Sequence, residues 1–185
     1  GYRENESMGG YDPYSSSKGA AEIAIASWRR SFFNPVDYGM KHHVALASVR
    51  AGNVIGGGDW ALDRIIPDCI KALEAGKDID IRSPKAIRPW QHVLEPLSGY
   101  MLLATKMWEE PTKYCEGWNF GPRAESITPV WDIATDVIKI YGSGKLNDMS
   151  NPNVLHEAKL LMLDISKAKF QLGWEPRMNI HRCIE

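Results

Sequence analysis

The sequence predicts an α/β chain built on a parallel sheet, and three observations carry that prediction. Residues 14–33 repeat apolar side chains at helical spacing: Ala21, Ile25, Trp28 and Phe32 stand four, three and four residues apart. Residues 44–49 form a short run of small and β-branched side chains, the composition of a strand covered on both faces, as parallel strands are. Further along, helical stretches alternate with short apolar runs, and Gly or Pro marks most of the joints.

Composition sets the bounds. At 185 residues and 44% apolar content, the chain has material for one large domain or two small ones. A net charge of −1 leaves no basic footprint for nucleic acid. Cys69, Cys115 and Cys183 lie far apart with no Cys-x-x-Cys, so they read as reduced core thiols and not as a disulfide framework or a zinc site. His42 and His43 are adjacent and would point apart on a strand, while His92, His156 and His181 are scattered, so no metal is expected. No apolar run approaches the roughly eighteen residues of a membrane span and no leader peptide is recognisable, which makes the cytoplasm the expected location.

The elements follow in order. Residues 1–11 are polar and Gly-rich and read as a loop. Asp12 can cap the helix that follows and Pro13 suits its first position, where a missing N–H costs nothing. A second set of small or apolar residues on this helix, Ala20, Ile23, Ala24 and Ser27, implies two buried faces, one on the sheet and one on another helix or a partner chain. Asn34-Pro35 ends it. After the strand at 44–49, a helix is expected at 62–75 despite Pro67, with Gly76 as its stop. A strand at 79–82, a helix at 97–109, a strand at 118–120 and a helix at 129–141 closed by Gly142 come next. A strand at 160–163, a helix at 166–172 capped by Gly173, and the start of another at the C-terminus complete the reading.

Chemistry concentrates on the first helix. Tyr14 and Lys18 stand at (i, i+4), which makes their side chains neighbours on one face. The Lys charge favours the ionised phenolate, and a tyrosine so tuned acts as a general base near neutral pH. An isolated Tyr-x-x-x-Lys is more often a surface pair sharing a face by chance. The loop at 52–60 lies just past the expected strand, at the carboxyl end where open α/β sheets bind ligands. Gly56-Gly57-Gly58 within it lacks the spacing of a dinucleotide fingerprint; it either offers backbone N–H groups to an anion or allows a tight turn.

The full pattern Pro13-Tyr14-Ser15-x-Ser17-Lys18-x-x-Ala21-Glu22 resembles the active-site helix of the extended short-chain dehydrogenase/reductases, the nucleotide-sugar epimerases and dehydratases. The segments Ala51 through Asp68, Ile87 through Pro96 and Gly117 through Pro122 extend the resemblance, in the family's order, to essentially the whole chain. Many relatives have Arg-Asp-Trp followed by Tyr-Val-x-Asp. This chain has Arg88-Pro89-Trp90 and His92-Val93-Leu94-Glu95, which sets it apart from the dTDP-glucose enzymes and is similar to the CDP-sugar branch of the 4,6-dehydratases.

That resemblance implies the back part of a Rossmann-like doubly wound parallel sheet, from residues 1–56 and 92–121, interleaved with a smaller α/β sugar-nucleotide domain from 57–91 and 122–185. It implies NAD as cofactor and dehydration of CDP-D-glucose to CDP-4-keto-6-deoxy-D-glucose. By carry-over Tyr14 is the catalytic base, Lys18 tunes it and bonds the nicotinamide ribose, and Ala51 lies beside the cofactor. Asn53 and Arg88 fall at diphosphate-binding positions, and Asn119 at a substrate-binding one; Asn53 could instead cap a turn. Arg64 is either a second phosphate contact or a surface partner of Asp63 or Asp68. The family places about half its length upstream, with the Gly-rich turn and a Thr-x-Asp segment carrying further catalytic groups, so the chain is expected to be a C-terminal half, inactive alone. The family also pairs the helix at 13–33 with its copy, which implies a homodimer. Another nucleotide-sugar epimerase, dehydratase or decarboxylase, or a non-catalytic binding or assembly module, are the competing readings.

Overall fold

The computed structural model describes residues 1–151 and 161–185, with no description of the Glu125 side chain. They divide into two compact units that alternate along the chain: Gly1–Ala51, Leu97–Phe120 and Leu163–Glu175 form one, Gly52–Pro96, Gly121–Met162 and Pro176–Glu185 the other. Among the described residues no helix is long and apolar enough to cross a membrane.

In the first unit, α1 (Pro13–Ser31) begins as the sequence dictates. The Asp12 carboxylate accepts from the Ser15 N–H and Pro13 occupies the first turn. Strand β1 (Ser48–Ala51) pairs parallel with β6 (Gly117–Phe120) in the register Ser48 to Gly117 through Ala51 to Phe120. The strand expected at 44–49 therefore forms four residues later, because the register with β6 and not local composition decides which residues find hydrogen-bond partners. It is also not covered on both faces, since Val49 remains 39% exposed.

The core of this unit is aromatic. Trp118 and Phe120 from β6 are completely buried against Leu103, Tyr114, Ala168, Leu172 and Trp174. Phe120 meets Trp174 edge-on at 4.9 Å and Tyr100 at 5.5 Å. Both buried indoles find partners: Trp118 Nε1 donates to the Tyr114 carbonyl at 3.0 Å, and Trp174 Nε1 to Ser98 Oγ at 2.9 Å. Gly99, on helix α3 (Leu94–Glu109), lies flat against the Phe120 ring, and a Cβ there would come within 2.3 Å of it. Residues 163–175, expected with the sugar-nucleotide domain, pack in this unit instead, because Leu172 and Trp174 complete its core. The expected helix at 166–172 forms and widens into a π-type turn at Ala168–Leu172, closed by Gly173 at φ 72°. Of the strand expected at 160–163, residue 160 lies outside the described residues, and Leu163 makes an isolated bridge to Tyr2.

The second unit packs α2 (Ile65–Glu74) and α4 (Val130–Tyr141) with the parallel pair β3 (Ile79–Ile81) and β8 (Leu146–Asp148). Cys69, Leu73, Ile79, Ile81, Ala134 and Val137 are buried together. Helix α2 starts at Ile65 and not at 62, and this resolves the proline: Pro67 falls in the first turn, where no intrahelical N–H is required. Gly142, at φ 94°, closes α4 in the left-handed conformation that favours glycine. The pairs β2 (Val54–Ile55) with β5 (Gln91–His92), parallel, and β4 (Ile87–Arg88) with β7 (Thr128–Pro129), antiparallel, were not foreseen. Ile55, Trp90, Ile133, Ile180 and Cys183 form a second apolar cluster around α4 and α5 (Ile180–Ile184). Glu95 is buried there and accepts from the Arg177 and Met178 N–H groups at 2.8 and 2.6 Å. All three cysteines are free and buried; burial pushes the Cys69 thiol up to about 12 and raises Cys115 and Cys183, so they are inert core groups.

Candidate active site

The first turn of α1 is built to hold its shape. Besides capping Ser15, Asp12 accepts from the Ser15 hydroxyl at 2.6 Å, and the two Ser15 bonds hold the Asp12 carboxyl below its usual range. Ser17 donates to the Tyr14 carbonyl at 2.7 Å, and Ser16 to the Gly10 carbonyl at 3.3 Å. The loop lies directly on the helix. A Cβ on Gly10 would sit 2.3 Å from the Ser16 nitrogen, and on Gly19, the one buried residue of α1, an added Cβ would lie 3.4 Å from the Gly9 nitrogen.

On this helix Tyr14 and Lys18 come together as their spacing predicts. The Lys18 ammonium lies 5.4 Å from the centre of the Tyr14 ring, and Tyr14 is 69% exposed. An open phenol with a cation beside it can exchange a proton with a ligand, and the ammonium has donors left for a hydroxyl.

What seats α1 is not the expected apolar face. Ile23, Trp28 and Phe32 are 57%, 54% and 63% exposed, and Ala20, Ala21, Ala24 and Ser27 are exposed too. The seated stripe is Gly19, Glu22, Ala26 and Arg29, with Ile25 half-buried beside it. Arg29 Nε donates to the Leu46 carbonyl at 2.8 Å. Glu22 Oε2 accepts from Ser48 Oγ at 2.9 Å and from Arg50 Nη2 at 2.8 Å. Burial alone would raise the Glu22 carboxyl, but the bonds from Arg50 and Ser48 and the charges of Arg50 and Arg29 outweigh it and hold the group down. The helix is thus keyed to the strand segment at two polar points. Arg50 went unmarked in the sequence, since no local spacing links it to Glu22.

Arg50 also reaches the Glu4 carbonyl at 3.2 Å, and its register partner on β6 is Asn119. Asn119 is 1% exposed. Its amide donates to the Tyr2 and Asp164 carbonyls at 3.0 and 3.2 Å, and its backbone N–H to Glu4 Oε1 at 2.9 Å. That side chain clamps the N-terminal loop to β6. Ala51 ends β1, exposed, opposite Phe120.

The other expected site residues belong to the second unit. The Asn53 carbonyl accepts from the Gln91 N–H at 2.9 Å, and the backbone at Gly52 lies on Pro89 so closely that a Cβ would meet the ring at 2.5 Å. Arg88, half-buried on β4, pairs in register with Thr128 and donates from Nη1 to the Ile87 carbonyl. Arg64 is exposed and precedes α2 without a side-chain capping bond. Asp63 takes Arg82 as its ion partner at 2.6 Å. Gly56-Gly57-Gly58 opens no helix; Gly58 sits at φ 82° and Gly56 packs on Val93, the geometry of a tight turn. Among the described residues no cluster of three or more His, Cys, Asp or Glu could hold a metal ion.

Comparison with known proteins narrows the family. The chain is 54% identical over 184 residues to CDP-glucose 4,6-dehydratase from Salmonella typhimurium, covering all of this chain and 51% of that protein. The chain is a homologue of CDP-glucose 4,6-dehydratase. It is also 24% identical to UDP-glucose 4-epimerase from Mycoplasma pneumoniae, over 94% of this chain and 52% of that one. It thus spans about half the length of the curated relatives it matches. No protein-family model matches. In fold it is similar to dTDP-glucose 4,6-dehydratase from Bacillus anthracis, solved in complex with NAD, at a TM-score of 0.77 and 17% identity, over 99% of this chain and 53% of that one. The dTDP-glucose 4,6-dehydratase of Streptomyces venezuelae gives 0.78 at 15% identity, over the same 99% and 53%. In fold the chain therefore matches about half of these dTDP-glucose 4,6-dehydratase chains.

Proposed function

We propose that this chain is the catalytic-helix half of an NAD-dependent CDP-glucose 4,6-dehydratase, converting CDP-D-glucose to CDP-4-keto-6-deoxy-D-glucose. The observation that carries the proposal is the exposed Tyr14 phenol with the Lys18 ammonium 5.4 Å from its ring, in a chain 54% identical to that dehydratase. NAD, when bound, supplies the hydride acceptor for C4 of the sugar and the hydride donor for C6. The fit is chemical: a phenol and an ammonium on an open helical face offer a proton acceptor and ribose-directed donors, and Ala51 ends the neighbouring strand. Tyr14 is the base for the C4 hydroxyl proton, with the Lys18 ammonium beside its ring. Loss of the O–H proton to Tyr14 and of the C4–H as hydride to the nicotinamide would leave a C4 ketone, which acidifies C5–H so that water can leave from C5 and C6.

In this reading Gly1–Ala51, Leu97–Phe120 and Leu163–Glu175 belong to the nucleotide-binding domain, and the second unit binds the sugar nucleotide. Asn53 and Arg88 hold the diphosphate, where the guanidinium fork suits two oxygens, and Arg64 adds a second cation. Asn119 supports the site by holding the loop that leads to Tyr14. The open surface of α1, which carries the Ala20, Ile23, Ala24 and Ser27 set and, beside it, Trp28 and Phe32, takes the same helix of a second copy, making a homodimer.

The test incubates the full-length dehydratase with NAD and, separately, CDP-, UDP- and dTDP-glucose, and follows the 4-keto-6-deoxy product. Turnover of CDP-glucose is expected. A preference for dTDP-glucose would overturn the cytosine assignment, and absence of product with all three would favour a binding module.

A further inference from the structure

Glu22 stands one turn beyond Lys18 on α1, and the direction its carboxylate takes matters to the pair before it. Helical side chains lean toward the helix N-terminus, so a glutamate at this position reaches back toward its i−4 neighbour, which is Lys18. Lys and Glu at that spacing attract. An ammonium drawn to Glu22 is drawn away from Tyr14.

The structure shows the opposite arrangement. Glu22 Oε2 is taken by Arg50 Nη2 at 2.8 Å and Ser48 Oγ at 2.9 Å, with the Glu22 and Arg50 side chains only 18% and 20% exposed. Lys18 is exposed, with its ammonium over the Tyr14 ring. A charge-assisted pair shielded from water outcompetes an exposed lysine for the same carboxylate. Arg50 is itself fixed, by β1's pairing with β6 and by the Glu4 carbonyl.

We propose that Arg50 is a positioning residue for Tyr14 and Lys18: by holding the Glu22 carboxylate on β1, it keeps the Lys18 charge on the phenol. The proposal rests on the reading of Tyr14 and Lys18 as the catalytic pair. It also differs from a purely structural salt bridge in one consequence. If Arg50 only tethered the helix, removing Glu22 as well could not help. If Arg50 withholds Glu22 from Lys18, the freed carboxylate is the harmful group, and deleting it restores the pair.

The test compares kcat per folded molecule, with the folded fraction measured by circular dichroism, in the full-length dehydratase with CDP-glucose and NAD. Arg50→Ala is expected to lower kcat roughly ten- to hundredfold while leaving KM for CDP-glucose nearly unchanged, the size of effect that a misplaced catalytic group produces. Arg50→Lys, which keeps a cation on β1, should retain most of the rate. The double variant Glu22→Ala/Arg50→Ala should recover most of what Arg50→Ala loses. A double variant as slow as Arg50→Ala, or an Arg50→Ala enzyme of unchanged kcat, would overturn the proposal. Should Arg50→Ala fail to fold, Arg50→Gln carries the same comparison, because it leaves a donor and removes the charge. Tyr14→Phe measured in parallel separates the two ideas: a retained rate sinks the catalytic reading of α1, whereas an inactive Tyr14→Phe with an unrecovered double variant sinks only the role of Arg50.

Discussion

Helices α1 and α4 are both amphipathic by sequence, yet they are held in opposite ways. On α4, Ile133, Ala134 and Val137 are at most 3% exposed, and the helix is positioned by filling volume between neighbours. On α1 the apolar side chains Ile23, Trp28 and Phe32 stay open, and the helix is positioned by Glu22 and Arg29 bonding to the strand segment at Ser48, Arg50 and Leu46. Volume-filling tolerates small slips, because an apolar face has no preferred partner atom. Hydrogen bonds between named atoms do not, and a slip of one turn, about 5.4 Å, would break both contacts at once. A helix that is proposed to present Tyr14 and Lys18 to a substrate from its first turns needs the second kind of seat.

The largest test of that contrast is on α4. Ile133→Ala empties a completely buried position, and should destabilise the chain by about 2–5 kcal/mol in a urea titration. A loss under about 1 kcal/mol would mean that α4 is not held by its packing.

On α1, Glu22→Ala should cost on the order of 2 kcal/mol by the same measurement, because it leaves the half-buried Arg50 without its carboxylate. The pH dependence gives a second handle. The folded Glu22 carboxyl titrates below its unfolded counterpart, so its contribution is complete at neutral pH and disappears as pH falls below the ordinary value of 4.5 and through the folded one. Unfolding curves of Glu22→Gln should show less acid destabilisation than the parent; identical acid limbs would count against the polar seat.

Smaller effects separate the start of α1 from its middle. Asp12→Ala removes two bonds to Ser15 and should lower the urea midpoint by less than Glu22→Ala does, with Asp12→Asn recovering most of the loss. Trp28→Ser, on the open face, should change the stability of the monomeric chain by less than about 0.5 kcal/mol. The same change should weaken self-association measured by sedimentation, and unaltered association would remove α1 from the proposed dimer interface.

Much of this was legible in the residues themselves, wherever the deciding physics is local. Asp12-Pro13 marks a helix start within four residues, Gly76, Gly142 and Gly173 mark ends through their left-handed conformation, and Tyr14 and Lys18 meet because helical geometry alone puts them one turn apart. Helix α2 starts three residues after the expected position, at Ile65, because Pro67 belongs in a first turn and not in a helix interior. The two-residue strands β2, β4, β5 and β7 left no pattern, since so short a strand is defined by the partner it pairs with.

The sequence by itself determined the meeting of Tyr14 and Lys18, the Asp12 cap and most of the succession of helices and longer strands, because each depends on neighbours within a turn or two. Only the tertiary structure decided how α1 is seated and what Arg50 does. A hydrophobic pattern marks faces that leave water, and it pointed to Ile25, Trp28 and Phe32, whereas the stripe against the strand is Gly19, Glu22, Ala26 and Arg29. A glycine, a small alanine and two opposite charges carry no hydrophobic signal. Their meaning appears when β1 brings Arg50 to Glu22 across 28 positions of chain, a contact that no local rule encodes.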